Sequence, residues 1–459
     1  MNQPKNGITE IRTTGCGVNR FFMKQNSIYK ILLGCSILLF IIALVMIVQG
    51  NIATTGPLIV GSLMCLALGF RGYNATKSFS YTIWIFTAVA ASMYYPQIFS
   101  TWGSFKLSIL IVPLLQIIMF GMGSQMSLND FTGVIKMPKG VIIGVSIHYM
   151  VMPLTALAIS HIFNFPNEIA AGIILIGCVP SGLASNVMSY IGRANLPLAV
   201  TIGACSTLLA PFVTPFLMKF IAGQFIEVSV WSMMLDIMNM IILPIVAGFI
   251  FNMFYNAQDT KKAIAMQLCV YFLIIVLTNL IPLLSEHTGL IVFGLGIVKS
   301  MGWFFFLPMF GAILLRYMLK GDRTLIKSIL SSFSTVGIAI IITIITAAGR
   351  ESLLSVGALL LITSLLHNFT GYILGYGSAW LFKMPEQDRR TIAFECGMQN
   401  GGLASGLAMQ MGKVATVGLA PAVFGPLMNI TGSVLASWWR GKPPKERGTV
   451  SDISNESKS

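Results

Sequence analysis

The chain of 459 residues is 55% hydrophobic and only 10% charged, with 44 glycines and a mean hydropathy of +0.81. A soluble domain of this size carries about 25% charged residues, so the composition excludes a soluble globular protein. The formal charge of +14 would suit a nucleic-acid binder, but its placement along the chain assigns it to membrane topology and excludes nucleic acid as a partner.

Residues 1–30 read as a cytoplasmic N-terminal segment, polar and disordered over about the first 25 residues. No small-residue cleavage site follows the first apolar run, so that run is expected to remain as an uncleaved span. Long apolar stretches such as 31–48 and 237–251 cross about 30 Å of hydrocarbon only as helices, which satisfy their own backbone groups. Fourteen spans are predicted: 31–50, 52–70, 81–99, 107–126, 139–163, 167–190, 195–221, 231–255, 266–284, 290–318, 325–348, 352–382, 389–411 and 415–439. The tail 441–459 is expected to be disordered and cytoplasmic. The seven cysteines lie mostly within spans and show no metal or disulfide spacing.

When alternate loops are assigned to alternate sides, 24 of the Lys and Arg residues fall on one side and 4 on the other, with Lys299 inside a span. The positive-inside rule therefore places both termini in the cytoplasm. A wrong helix count would scramble this bias, so it also supports an even number of spans. The basic side is expected to face anionic lipid.

The sixth and thirteenth spans carry an internal repeat. Phe165-Pro-Asn-Glu leads to Cys178-Val-Pro-Ser-Gly-Leu-Ala-Ser185, and Met384-Pro-Glu-Gln leads to Cys396-Gly-Met-Gln-Asn-Gly-Gly-Leu-Ala-Ser405. The same offset brings His148 onto His367 and Ala210-Pro211 nearly onto Ala420-Pro421. Equivalent helices are seven spans apart, an odd number, so the repeats have opposite orientation. Inverted repeats with Gly/Pro-interrupted helices mark secondary transporters, in which half-helix ends and freed carbonyls bind ions and substrate near the midplane.

Glu395 lies inside its span, followed by Gln399 and Asn400. An ionised carboxylate there costs roughly 2.5–3.5 kcal/mol on insertion scales, a cost that a cation or proton beside it removes. Carboxylate, amide and carbonyl oxygens together suit a hard cation. In the first repeat Ser185 and Asn186 offer oxygens, and Asn186 and Asn400 can also donate to an anion, helped by helix N-termini. His148, if it faces the site, titrates near physiological pH. Lys299 is given no transport role.

Glu395-Cys-Gly-Met-Gln-Asn400 resembles the Glu-x-Gly-x-Gln-Asn signature of the bile acid:sodium symporter family. Further similar blocks are Phe120 to Phe131, Ala184-Ser-Asn-Val-Met188, Ser206 to Pro211, Leu243 to Gly248 and Leu366 to Tyr372. The resemblance implies an all-α fold with a ten-helix inverted-repeat core, built from a panel domain and a core domain with two discontinuous crossing helices. Two added hairpins, at 31–80 and 256–324, flank core segments 81–255 and 325–440 and offer surfaces for a homo-oligomer.

By the same resemblance, Glu395, Ser185 and Asn186 would hold one sodium ion. Glu395, Gln399 and the carbonyls of Cys396 and Met398 would hold another. Substrate would sit near Ser181, Leu183, Asn186 and Asn400. Two hydroxyl ligands that the family implies fall here on Ala199 and Gly203, and a Gln falls on His148, so a proton on His148 is a rival coupling ion. The expected activity is secondary active transport of a small organic anion, a carboxylate by preference, across a plasma (bacterial inner) membrane, without a resident cofactor. Alternatives are an uncoupled facilitator or channel. An intramembrane enzyme would need paired Asp residues, a His-Glu-x-x-His helix or a Ser–His dyad. Only Ser405 with His367 offers the last, so the chain is read as not an enzyme.

Overall fold

A computed structural model describes residues 15–73, 76–126, 133–256, 265, 308–319, 323–442 and 444. The predicted span 266–284, most of 290–318, Lys299, residues 127–131 of one family block and nearly all of the tail lie outside these residues. Contacts divide the chain into two compact units, one up to Tyr95 and the other from Pro96 onward.

The first unit holds three helices: α1 (Gly15–Val48), α2 (Gly56–Phe70) and α3 (Lys77–Tyr94). Helix α1 begins well before its apolar run, so residues 15–30 are helical and not disordered. No proline interrupts them, and a helix once nucleated continues at little cost. Polar side chains tie the three helices together. The Ser62 hydroxyl donates to the Ser36 carbonyl at 2.8 Å and Ser80 to the Ala67 carbonyl at 2.7 Å. Helix α3, which covers most of the predicted span 81–99, falls within this first unit.

The second unit opens with a short helix, Pro96–Ser100, and a minimal antiparallel hairpin of Thr101–Trp102 with Phe105–Lys106. Helices α4 (Ile111–Gly123) and α5 (Pro138–Ile162) follow. The sixth span is two half-helices, α6 (Asn167–Cys178) and α7 (Leu183–Ile191). Next come α8 (Leu196–Leu217) and α9 (Val230–Tyr255), the latter with a π turn at Met238–Ile242 ahead of Pro244. After a helical stretch at 308–318 come α10 (Arg323–Ala348) and α11 (Arg350–Leu381). The thirteenth span is again broken, into α12 (Glu386–Gly397) and α13 (Gly401–Gln410), and α14 (Leu419–Arg440) closes the bundle.

Seven helices among the described residues are long and apolar enough to cross a membrane. The broken pairs α6–α7 and α12–α13 add crossings that no single helix supplies. The chain is an integral, multi-pass membrane protein. Helices α4, α9 and α10 pack together, as do α5 to α8 with α11 to α14. Helices α4 and α9 cross with backbones almost touching. A Cβ at Gly123 would lie 2.0 Å from the Ile245 carbonyl oxygen, and one at Gly248 2.0 Å from that of Phe120. Small residues at such crossings let dispersion forces act where lipid offers no hydrophobic drive.

Both half-helix units start alike. Asn164 and Lys383 adopt left-handed backbone, φ 47° and 56°, two residues before Pro166 and Pro385, which cap α6 and α12. The prolines need no N–H at a helix start. Acidic residues follow in each first turn, Glu168 in α6 and Glu386 and Asp388 in α12, where the helix dipole favours them.

Candidate functional site

The two breaks meet. Pro180 has no N–H to continue α6, and the chain runs extended from Val179 to Gly182. In the second repeat Met398 is extended as well. The stretches pair antiparallel at Ser181 and Gln399. The Gly182 amide donates to the Met398 carbonyl at 2.9 Å, and the Asn400 amide donates to the Pro180 carbonyl at 2.8 Å. Each break thus satisfies backbone groups of the other, which hydrocarbon would leave unpaired. Gly182 is required here, since a Cβ would lie 2.6 Å from the Gln399 carbonyl oxygen. Beyond the second break the Asn400 side chain accepts from the Leu403 amide at 3.0 Å and caps α13.

Glu395, the last-turn carboxylate of α12, is fully buried against this crossing. Ser181 donates to its Oε2 at 2.5 Å, and Ser185 lies 2.6 Å from its Oε1. Ser185 also lies 2.7 Å from the Gly182 carbonyl, so its single proton serves one acceptor at a time. The Gln399 amide donates to the Cys396 carbonyl at 2.6 Å, while Gln399 Oε1 is buried without a partner among the described residues. Asn186 Oδ1 is likewise buried and unpartnered. The carboxylate with its two hydroxyls, together with two buried amide oxygens of the same breaks that lack partners among the described residues, offers only oxygen donors. That set suits a hard monovalent or divalent cation rather than a soft metal. Among the described residues no group of three or more His, Cys, Asp or Glu is placed to hold a metal ion.

His148 does not face the carboxylate. It is fully buried, with Nδ1 2.9 Å from the Glu395 backbone carbonyl and Nε2 2.9 Å from that of Val179. It thus braces the C-terminal ends of α6 and α12. A neutral ring donates to only one of these carbonyls, whereas a doubly protonated ring satisfies both. Its repeat partner His367 reaches the Met152 carbonyl at 3.0 Å, and the adjacent Asn368 donates to the Gly397 carbonyl at 2.7 Å. Asn368, which sequence reasoning passed over, therefore holds the second break open. Its lone amide in an apolar span was the available signal.

A crevice of about 100 Å³ opens beside the crossing. It lies between α4 and α10 on one side and the starts of α7 and α13 on the other, with α14 behind. Leu183, Gln399 and Asn400 line it, as do Ser405 and Asn429, the last unremarked in the sequence. Ser181 and Asn186, both expected near substrate, do not line it: Ser181 turns to the carboxylate, and Asn186 lies further along α7. The carbonyls of Cys396 and Met398 each accept one hydrogen bond and keep a lone pair.

The Sodium Bile acid symporter family profile matches residues 112–282. An uncharacterized sodium-dependent transporter of Bacillus subtilis, YocS, is 32% identical over 369 residues, 80% of this chain and 93% of that protein. The chain belongs to the sodium bile acid symporter family. Within it, the probable sodium/metabolite cotransporter BASS1 of Arabidopsis thaliana chloroplasts is 28% identical over 332 residues, 72% of this chain and 67% of that protein. The BASS1 protein of Oryza sativa is 26% identical over 397 residues, 84% of this chain and 80% of that one. The stretch Glu395 to Asn400 sits where the two breaks cross.

Proposed function

We propose that this protein is a secondary active transporter of a small organic anion, coupled to sodium and working by alternating access. The observation that carries the reading is Glu395 buried at the crossing with Ser181 and Ser185 on its two oxygens. The buried oxygens of Gln399 and Asn186 in the same two breaks have no partner among the described residues. The names of the relatives support sodium as the coupling ion. The crevice supports a small anionic substrate. Leu183, Gly401 and Gly402 open two helices toward it, and among the described residues no charged side chain lines it. An anion there would be held by amide dipoles rather than by a fixed cation. The proposed orientation has both termini in the cytoplasm of a bacterial-type inner membrane.

The test is uptake of labelled carboxylates into proteoliposomes under an imposed gradient. Sodium-driven, saturable uptake that is lost in Glu395→Gln supports the reading. Flux that does not saturate and ignores any gradient would sink it in favour of a channel.

His148 favours one second reading, proton coupling, because its two nitrogens both meet carbonyls and only the charged ring serves both. Uptake indifferent to sodium, driven by an inward proton gradient and abolished by His148→Gln would establish it. Strict sodium dependence at constant pH overturns it.

A further inference from the structure

The two ends of the crossing differ. Helix α6, which leads away from Glu395 on one side, is buried apolar or glycine residues without a gap from Ile169 to Cys178. On the other side, α7 and α12 pack together and run antiparallel, with Ser185 at Glu395 and Gly192 at Arg390. The Phe394 ring closes on Gly192, and several of the other buried residues along the pair are polar. Ser185 stands at Glu395 Oε1. Ser189, one turn on, shares its face of α7; it is 0% exposed, and its hydroxyl has no partner among the described residues. On α12, Thr391 stands one turn before Glu395 and is fully buried. Its hydroxyl accepts from the Asn195 amide at 2.9 Å and lies 3.0 Å from the Gln387 carbonyl and 3.1 Å from that of Asn195, so one lone pair stays open. The Asn195 side chain then donates at 2.8 Å to Asp388, which is half-exposed.

We propose that this file, from Glu395 through Ser185, Ser189 and Thr391 to Asn195 and Asp388, is the passage by which the coupling cation moves between the carboxylate and the face bearing Asp388. Ser189 is its intermediate ligand. The inference rests on the ion-coupled reading of Glu395. Ser185 to Ser189 on α7 and Glu395 to Thr391 on α12 are each a step of one helical turn, short enough for a partly hydrated ion to be handed on by lone pairs. The buried Ser189 hydroxyl without a partner is costly unless something binds it. Arg390 lies near the end of the file, but its charge is engaged. Nε donates to Glu386 at 2.8 Å, and its other nitrogens donate to the carbonyls of Gly192, Trp439 and Lys442 at 2.8–3.2 Å. Arg389 is likewise turned to the Met384 carbonyl. The acidic end of the file is thus left to Asp388.

The probe is silver ion, a thiophilic cation close to sodium in size. In a chain whose seven native cysteines are replaced by alanine, Ser189→Cys is exposed to silver in right-side-out and inside-out vesicles. Blocked thiols are then read by maleimide labelling after denaturation. The expected result is reaction several-fold faster from the face bearing Asp388, slowed by sodium but not by choline. Reaction from the opposite face alone, or at a rate that sodium does not change, overturns the passage. This readout needs no transport, so it separates the passage from the transporter reading, which fails if the unmodified chain moves no carboxylate. In the unmodified background, Ser189→Ala is expected to raise the half-saturating sodium concentration several-fold on that face only, with Ser189→Thr restoring it. An equal change on both faces, or none, counts against the proposal.

Discussion

Glu395 and Gly203 show how far single residues carry the chemistry. A Cβ at Gly203 would stand 3.6 Å from Glu395 Oε2 and 3.6 Å from Ser181 Oγ, in ordinary contact with nothing nearer. The missing hydroxyl noted in the sequence therefore leaves room beside the carboxylate itself. Gly203→Ser is expected to add a cation ligand and lower the half-saturating sodium concentration several-fold in uptake assays; an unchanged value would mean that the site lies elsewhere. Gly182→Ala should be the opposite kind of change. Its methyl meets the Gln399 backbone at 2.6 Å, and overpacking of that sort costs about 1–3 kcal/mol. A lower thermal midpoint in detergent would report it, with Gly377→Ala, which meets nothing within 4 Å, as the neutral control.

At the scale of elements, the two interrupted spans were legible as interruptions but not as partners. Pro180, Gly182, Gly401 and Gly402 announce broken helices by chemistry alone. That Ser181 would pair with Gln399, or that His148 would brace both breaks from α5, depends on helices far apart in the chain lying across one another. Arg390 is the clearest element-scale surprise. It reads as one more positive charge in a basic loop, yet it is buried and holds the ends of α7 and α14 to α12. It also lies over the Trp439 ring, 5.4 Å from its centre. Arg390→Ala leaves the helix-end carbonyls of Gly192 and Trp439 without this donor, while Glu386 keeps Tyr376 and Arg389, so it should lower the thermal midpoint well beyond Arg389→Ala. Equal effects would show that the buried contacts of Arg390 add no stability beyond those of its half-exposed neighbour.

For the whole molecule, basic residues gather at one end of the second unit. Lys139 donates to the Phe382 carbonyl at 3.0 Å, and Arg390 joins Gly192 to the chain after α14. Lys413 instead pairs with Glu168 at the start of α6, with Thr416 donating to the same carboxylate at 2.6 Å. The proposed topology puts the first end in the cytoplasm. Single cysteines replacing Arg193 and Lys413 should therefore react with an impermeant reagent from opposite faces of the membrane, Arg193→Cys from the cytoplasmic one. Labelling of both from one face would break the topology.

Composition, charge alternation and the repeat offset determined that this is a helical membrane protein with two inverted halves, because burial in lipid admits few backbones and leaves its period in the sequence. The stretch around Glu395 and the blocks before it carried the family resemblance. Tertiary structure alone decided which oxygens surround the carboxylate, where His148 points and which residues face the crevice. Those outcomes depend on the angle and depth at which two broken helices cross, and no local pattern of residues encodes them.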